Sequence, residues 1–332
     1  MLKKLFSKTP KALTAACAVI LFIEIALAGF DQSQPDFYGG TAVTWRFVKQ
    51  LEAKTMDLSP EVILMGDSTA GVLDRKLKGS GINDLALKIW DGMPAQFFLL
   101  KRYIQAGGRP KVCMLMTDLR VWDVDMRTAL DHAKAADSFF RPLGNWANSA
   151  DLLWSAQRPD LAWAMLKESF LPSRRFKIPL AGLLARAGIY PSEIVEKDPF
   201  ADEKGDIAQF EVWKKRMTER ADREDSRETL AEYYFKRIAG LCRQHNIQLV
   251  VYHCPIYEDR KKEVFQYERR MRRIREFLKK EGIPFREDSF IYPKAAFDSV
   301  GSHVQAEPEL SSFAEAILRQ SREWLASAKT AP

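Results

Sequence analysis

Gly66-Asp67-Ser68 follows the apolar run Val62-Ile63-Leu64-Met65 and precedes Thr69-Ala70-Gly71, so a serine stands where a buried strand hands over to a helix. At the carboxyl end of a parallel strand a side chain faces the ligand crevice, and unpaired amides of the next helix's first turn can hold a developing oxyanion. A serine hydroxyl is a poor nucleophile at neutral pH. It needs a base within hydrogen-bond reach, and that base needs a carboxylate to orient it. Asp298-Ser299-Val300-Gly301-Ser302-His303, just before an amphipathic terminal helix, offers the acid and the base. The two ends of the chain are expected to make one site, with Ser68 as nucleophile, His303 as base and Asp298 as its orienting partner.

Four histidines limit the choice of base. His132, beside Asp131, reads as a surface residue, and His245 suits a favourable charge contact at a helix C-terminus. His253 is the rival. It follows Leu249-Val250-Val251-Tyr252 and so reaches the same edge of the sheet, where it is assigned to substrate contact. Asp67 is expected to accept amide hydrogen bonds around the nucleophile turn, and Asp91 to do likewise at a helix start.

The order of these pieces resembles the SGNH (GDSL-type) hydrolase superfamily, with the serine in the first block and the Asp and His close together in the last. The resemblance covers about residues 60–120 and 230–325. Ile89-Trp90-Asp91-Gly92 is similar to the family's second block, which implies the Gly92 amide, together with that of Ser68, as oxyanion donors. Two departures accompany it. After Val112-Cys113-Met114-Leu115-Met116 the third-block asparagine has no clear counterpart, and Thr117-Asp118 stands there instead. Thr117 is carried as a third oxyanion or substrate contact, with Asp118 beside it; the alternative is a threonine that only satisfies local backbone. The family's Asp-x-x-His is also stretched, with Asp298 five positions before His303.

The elements that must hold these residues follow from pattern. Strands at Val62–Met65, Ile82–Ile89, Val112–Met116, Ile247–Tyr252 and Ile283–Arg286 alternate with helices at Gln96–Ile104, through Leu230 to Leu241, in the arginine-rich stretch, and at Glu307–Leu325. Such alternation predicts α/β architecture with a five-stranded parallel sheet. The resemblance implies a flavodoxin-like three-layer α/β/α domain over 59–327, after a connector at 31–58 and before a tail at 328–332. Residues 123–228 break the rhythm with tryptophan-rich helical stretches and read as a helical insertion. Its Trp146, Trp154 and Trp163, with Phe170 and Phe176, are expected to pack as core, the alternatives being a cleft lining or a membrane-surface contact.

Lys3, Lys4, Lys8 and Lys11 precede Leu13 to Phe30, about 18 mostly apolar residues that would span roughly 27 Å as a helix. Residues 1–30 are an export segment: an N-terminal membrane helix with its basic end in the cytoplasm, or a signal peptide cut after Ala26-Leu27-Ala28. The net charge of +7 includes those four lysines. Much of the remaining excess lies in Arg269-Arg270-Met271-Arg272-Arg273-Ile274-Arg275, where an apolar stripe opposes a solvated basic face. No nucleic-acid motif accompanies it, so no nucleic-acid partner is expected. Cys17, Cys113, Cys242 and Cys254 have no close or repeated spacing, which predicts no metal site and buried free thiols, with one bridge at most. No cofactor is implied.

An N-terminal membrane helix, an exported domain and a long insertion look similar to SGNH-like proteins that assist membrane-bound O-acyltransferases in acylating envelope polysaccharides. The resemblance therefore implies acyl transfer to, or ester removal from, an envelope polysaccharide, in the bacterial cell envelope and with such an acyltransferase as a partner. Two alternatives remain: an envelope carboxylesterase or lipase, and a catalytically silent polysaccharide-binding or assembly subunit.

Overall fold

The computed structural model describes residues 51, 55–86, 92–123, 146–159, 161–163, 165, 228–257, 259–263, 267–298 and 303–330. Five parallel strands, β1 (Val62–Gly66), β2 (Ile82–Asp84), β3 (Val112–Thr117), β4 (Gln248–His253) and β5 (Phe285–Arg286), form one sheet in the order β2-β1-β3-β4-β5. The expectation of an α/β chain with a five-stranded parallel sheet holds. The order reverses between β1 and β3, and a parallel sheet opens its ligand crevice at such a switch point, outside the carboxyl ends of the strands.

Side chains alternate across a strand, and here both faces are covered. Ile63, Met65, Cys113, Leu115, Leu249 and Val251 join one apolar cluster, whereas Val62, Leu64, Val112, Met114, Met116, Val250 and Tyr252 join another. The first is packed by α2 (Gly92–Gln105), α3 (Leu230–Gln244) and α4 (Tyr267–Lys280), which follow the short α1 (Ser68–Gly71). The second is packed by α5 (Glu307–Thr330) through Phe313 and Ile317. Thr229 and Glu232 form a reciprocal capping box that starts α3. In α4, Met271, Ile274 and Leu278 are buried at helical spacing, while Arg273 and Arg275 pair outward with Glu232, Glu268 and Glu287. This is the apolar stripe with a solvated basic face.

Several bounds differ from the sequence reading. β2 ends at Asp84, and residues 87–91, including Ile89, Trp90 and Asp91, lie outside the described residues. The last helix runs to Thr330, into the tail expected at 328–332, because Ala326-Ser327-Ala328-Lys329 contains nothing that stops a helix. Of the insertion, Trp146–Ala150, Asp151–Ser155 and the helical residues from 161 are described. Trp154 and Trp163 are 77% and 65% exposed, contrary to the core role expected of them, because their helical stretches turn Leu152 and Leu161 inward instead. Phe170, Phe176, His132 and the export segment lie outside the described residues. Among those described, no helix is long and apolar enough to cross a membrane, no group of His, Cys, Asp and Glu is placed to hold a metal, and Cys113, Cys242 and Cys254 are buried free thiols.

Candidate active site

β1 is buried along its whole length and delivers Asp67 and Ser68 to the carboxyl edge of the sheet. Gly66 is dictated by close approach. A Cβ there would stand 2.5 Å from the Met116 carbonyl oxygen and 3.2 Å from the Ala70 Cβ, so any side chain would push β1 away from β3. Asp67 takes an extended conformation and caps α1, its carboxylate accepting from the Thr69 amide at 2.8 Å and from the Thr69 hydroxyl. The Asp118 amide donates to its other oxygen at 3.3 Å, and the Cys254 thiol lies 3.5 and 3.6 Å from the two oxygens. Asp67 therefore fastens the nucleophile turn to the ends of β3 and β4, as its expected structural role requires. Burial, followed by the Asp67 and Asp118 carboxylates, pushes the Cys254 thiol well up, so it remains a protonated donor.

The other half of the site comes from the loop before α5. Phe297 and Val304 form an antiparallel bridge, and the Asp298 amide donates to the His303 carbonyl at 2.9 Å. Tyr257, Ala296, Phe297 and Val304 cluster beneath this pairing. Antiparallel pairing sets residue 298 opposite residue 303, so five positions of separation still bring the two side chains together. The residues between, 299–302, lie outside the described residues.

The result is a continuous chain of hydrogen bonds. His303 Nδ1 lies 2.6 Å from Asp298 Oδ2, and its Nε2 lies 2.9 Å from Ser68 Oγ. A carboxylate only accepts, so Nδ1–H donates to Asp298 and Nε2 is left to accept the Ser68 hydroxyl proton. The His303 side chain is 28% exposed and that of Asp298 11%, which leaves the imidazole open to a substrate while the acid is shielded.

Gly92 opens α2 with φ +58, a left-handed conformation that glycine enters without penalty, and its N–H lies outside the helix's own ladder. Gln96, in the same first turn and 3% exposed, donates from Nε2 to the Gly66 carbonyl and ties that turn to the nucleophile strand. Thr117 faces the other way. Its hydroxyl accepts from Trp122 Nε1 at 3.0 Å, in the cluster with Phe235 and Phe277, so the partner it takes is a side chain and not the local backbone of the stated alternative. Asp118 stays beside the site through its amide on Asp67. His253 is buried and holds its Nδ1 2.7 Å from the Cys254 carbonyl, so it does not meet Ser68. His245 sits at the end of α3, near the opposite, amino-terminal edge of the sheet, beside a hollow of about 290 Å³ lined by Arg109, Lys111 and Ala328.

Sequence reasoning reads Cys254 only as a buried free thiol and misses Gln96. Gln96 carries a signal, as the one side chain with an amide in the otherwise apolar run Met93–Leu100 that opens the helix. Comparison of the chain with protein-family models, with curated proteins and with solved structures finds no match. The chemistry of the site is accordingly read from its geometry.

Proposed function

We propose that the chain is an exported, membrane-anchored serine-dependent acyl-ester enzyme of the SGNH (GDSL) type, in a flavodoxin-like three-layer domain. Its favoured reaction is O-acyl transfer to an envelope polysaccharide, or removal of such an ester. The hydrogen-bonded line Ser68–His303–Asp298 carries the reading, and the strand order agrees with the fold class. Ser68 Oγ attacks the acyl carbon as its proton passes to His303 Nε2, and Asp298 holds the resulting imidazolium. The carbonyl oxygen takes negative charge opposite the amides of Ser68 and Gly92. The bond to the leaving alcohol then breaks, Nε2 returns its proton to that alcohol, and an acyl-Ser68 ester remains. A second hydroxyl, activated by the same imidazole, attacks the ester and restores the serine.

That second hydroxyl belongs to water in the esterase reading, which the exposure of His303 supports, and to a sugar in the transfer reading. Water at ~55 M wins unless the acceptor is held in attacking geometry, where effective molarities reach about 10⁵ M or more. The exposed Trp154 and Trp163 are suited to stacking on sugar rings, and a membrane-bound O-acyltransferase is the partner that would supply acyl groups. The intact hydrogen-bonded line weighs against a silent binding subunit.

Fluorophosphonate labelling with intact-mass detection is the test. A single adduct in the natural chain and none in Ser68→Ala is expected; an adduct that persists in Ser68→Ala sinks the assignment. With a chromogenic acetyl ester and envelope oligosaccharides, acetylated sugar should form at the expense of acetate. Acetate accounting for all turnover would leave the esterase. Protease added to spheroplasts should reach the main domain if it is exported.

A further inference from the structure

Farther along the same edge, His253 and Tyr267 hold polar atoms that nothing among the described residues satisfies. His253 closes β4 and is 6% exposed, and Tyr267 opens α4 and is 3% exposed. Their rings meet edge to face, with centroids 5.9 Å apart at 70°. The Cys254 carbonyl beside Nδ1 can only accept, so the proton of the neutral imidazole sits on Nδ1 and Nε2 carries a lone pair. That Nε2 and the Tyr267 hydroxyl are both buried, and neither has a hydrogen-bond partner among the described residues. Buried polar groups are ordinarily paired, so two orphans on neighbouring rings call for a guest.

The chemistry of the two atoms selects that guest. Burial, with the carboxylates of Glu287, Asp288, Glu268 and Asp118 around it, pushes the Tyr267 phenol well up, so it stays protonated and offers a donor. His253 Nε2 offers an acceptor. A hydroxyl group serves both, donating to the imidazole and accepting from the phenol, whereas a carboxylate has no proton to give Nε2. An anion would also meet those four carboxylates, among which Arg275 pairs with Glu268 and Glu287 and Lys261 with Asp288. β4 lies two strands from β1, so the His253 backbone is about 10 Å along the edge from the nucleophile turn.

We infer that His253 and Tyr267 form a subsite for a neutral hydroxyl-bearing group, which on the acyl-transfer reading is part of the acceptor, and that this subsite selects against anionic acceptors. The full-length chain in detergent micelles, without any acyl donor, is titrated calorimetrically with cellopentaose and with pentagalacturonate. Cellopentaose should bind, and the uronate should bind at least tenfold more weakly. Tyr267→Phe removes one oxygen from a packed ring and should weaken cellopentaose binding fivefold or more; His253→Phe, which keeps an aromatic ring against Tyr267, should do the same. Thermal unfolding of each variant checks that the fold is kept. Failure of both oligomers to bind, equal affinity for the two, or unchanged affinity in the variants overturns the subsite. Ser68 labelling reads the acyl chemistry separately. Binding without labelling supports the subsite and sinks the enzyme reading; labelling without binding does the reverse.

Discussion

His303 and His253 both stand at the carboxyl edge of the sheet, the first with each ring nitrogen engaged, to Asp298 and to Ser68, and the second with one nitrogen on a backbone carbonyl and the other buried without a partner. The difference comes from strand parity. Leu249, Val251 and His253 share the face covered by α3 and α4, whereas Val250, Tyr252 and Cys254 share the face covered by α5, on which the nucleophile turn sits. It is therefore Cys254, one residue on, that reaches Asp67. A register shift of one residue would exchange their roles. Reaching the right edge is not enough to make a base; the side chain must also leave on the right face.

The sharpest way to break this comparison is at the serine. Ser68→Ala should lower turnover of an activated ester by about 10⁵–10⁶-fold, since loss of a nucleophile removes the whole covalent route. Retained turnover would mean that the hydrogen-bonded line does no chemistry. Next comes the exchange of histidines. His303→Ala should cost about as much as the serine variant, whereas His253→Ala should cost less than about tenfold in hydrolysis, the effect of disturbing a neighbouring element. Steady-state kinetics on the two variants decides it, and the opposite ranking would make His253 the base. Asp298→Asn comes third, with a loss of about 10³–10⁴-fold, because an amide in that place allows the wrong imidazole tautomer. A loss under tenfold would show that the antiparallel Phe297–Val304 pairing orients His303 without help from the acid.

The sheet and the meeting of Ser68, His303 and Asp298 are legible in the sequence for the same reason. Buried parallel strands read as continuous apolar runs, and Val62–Gly66, Val112–Thr117 and Gln248–His253 stand out between amphipathic helices. Ser68, Asp298 and His303 sit at element ends, where position along the chain determines position at the edge. Facing and pairing were harder to read. Thr117 reads as a third oxyanion or substrate contact because it stands where the resemblance places an asparagine, but parity turns it toward Trp122. The stretched acid-to-base spacing was measured against a short turn, and the antiparallel bridge that closes it depends on Phe297 and Val304 packing with Tyr257, a residue about 40 positions away in sequence. Large aromatics usually bury, which assigns Trp154 and Trp163 to a core, and one-face periodicity is too short in those stretches to show the exposure that the fold gives them.

A smaller effect than at the serine, His303 or Asp298 is expected at Gln96, which combines both conditions of the two histidines in one side chain: Nε2 engaged with the Gly66 carbonyl, Oε1 buried without a partner among the described residues. Gln96→Met keeps the length and straight-chain shape while removing both atoms. Losing the donor strips a partner from the carbonyl that precedes Asp67, at a cost of about 1–3 kcal/mol, but losing the orphaned oxygen removes a desolvation penalty of similar size. Stability should therefore change by less than about 1 kcal/mol, read as a Tm shift of a few degrees. Activity should respond more. Gln96 links the Gly92 turn to the strand that precedes Ser68, so releasing it loosens the two proposed oxyanion amides relative to each other, and kcat should fall about 5–20-fold with KM within threefold, since the charge they hold develops only in the transition state. Phosphonate inactivation of the variant should slow by the same factor as kcat/KM. A rise in KM with kcat intact would instead place Gln96 in ground-state binding, and the paired surroundings of Ser68 would then be scaffolding for the substrate rather than for the reacting oxygen.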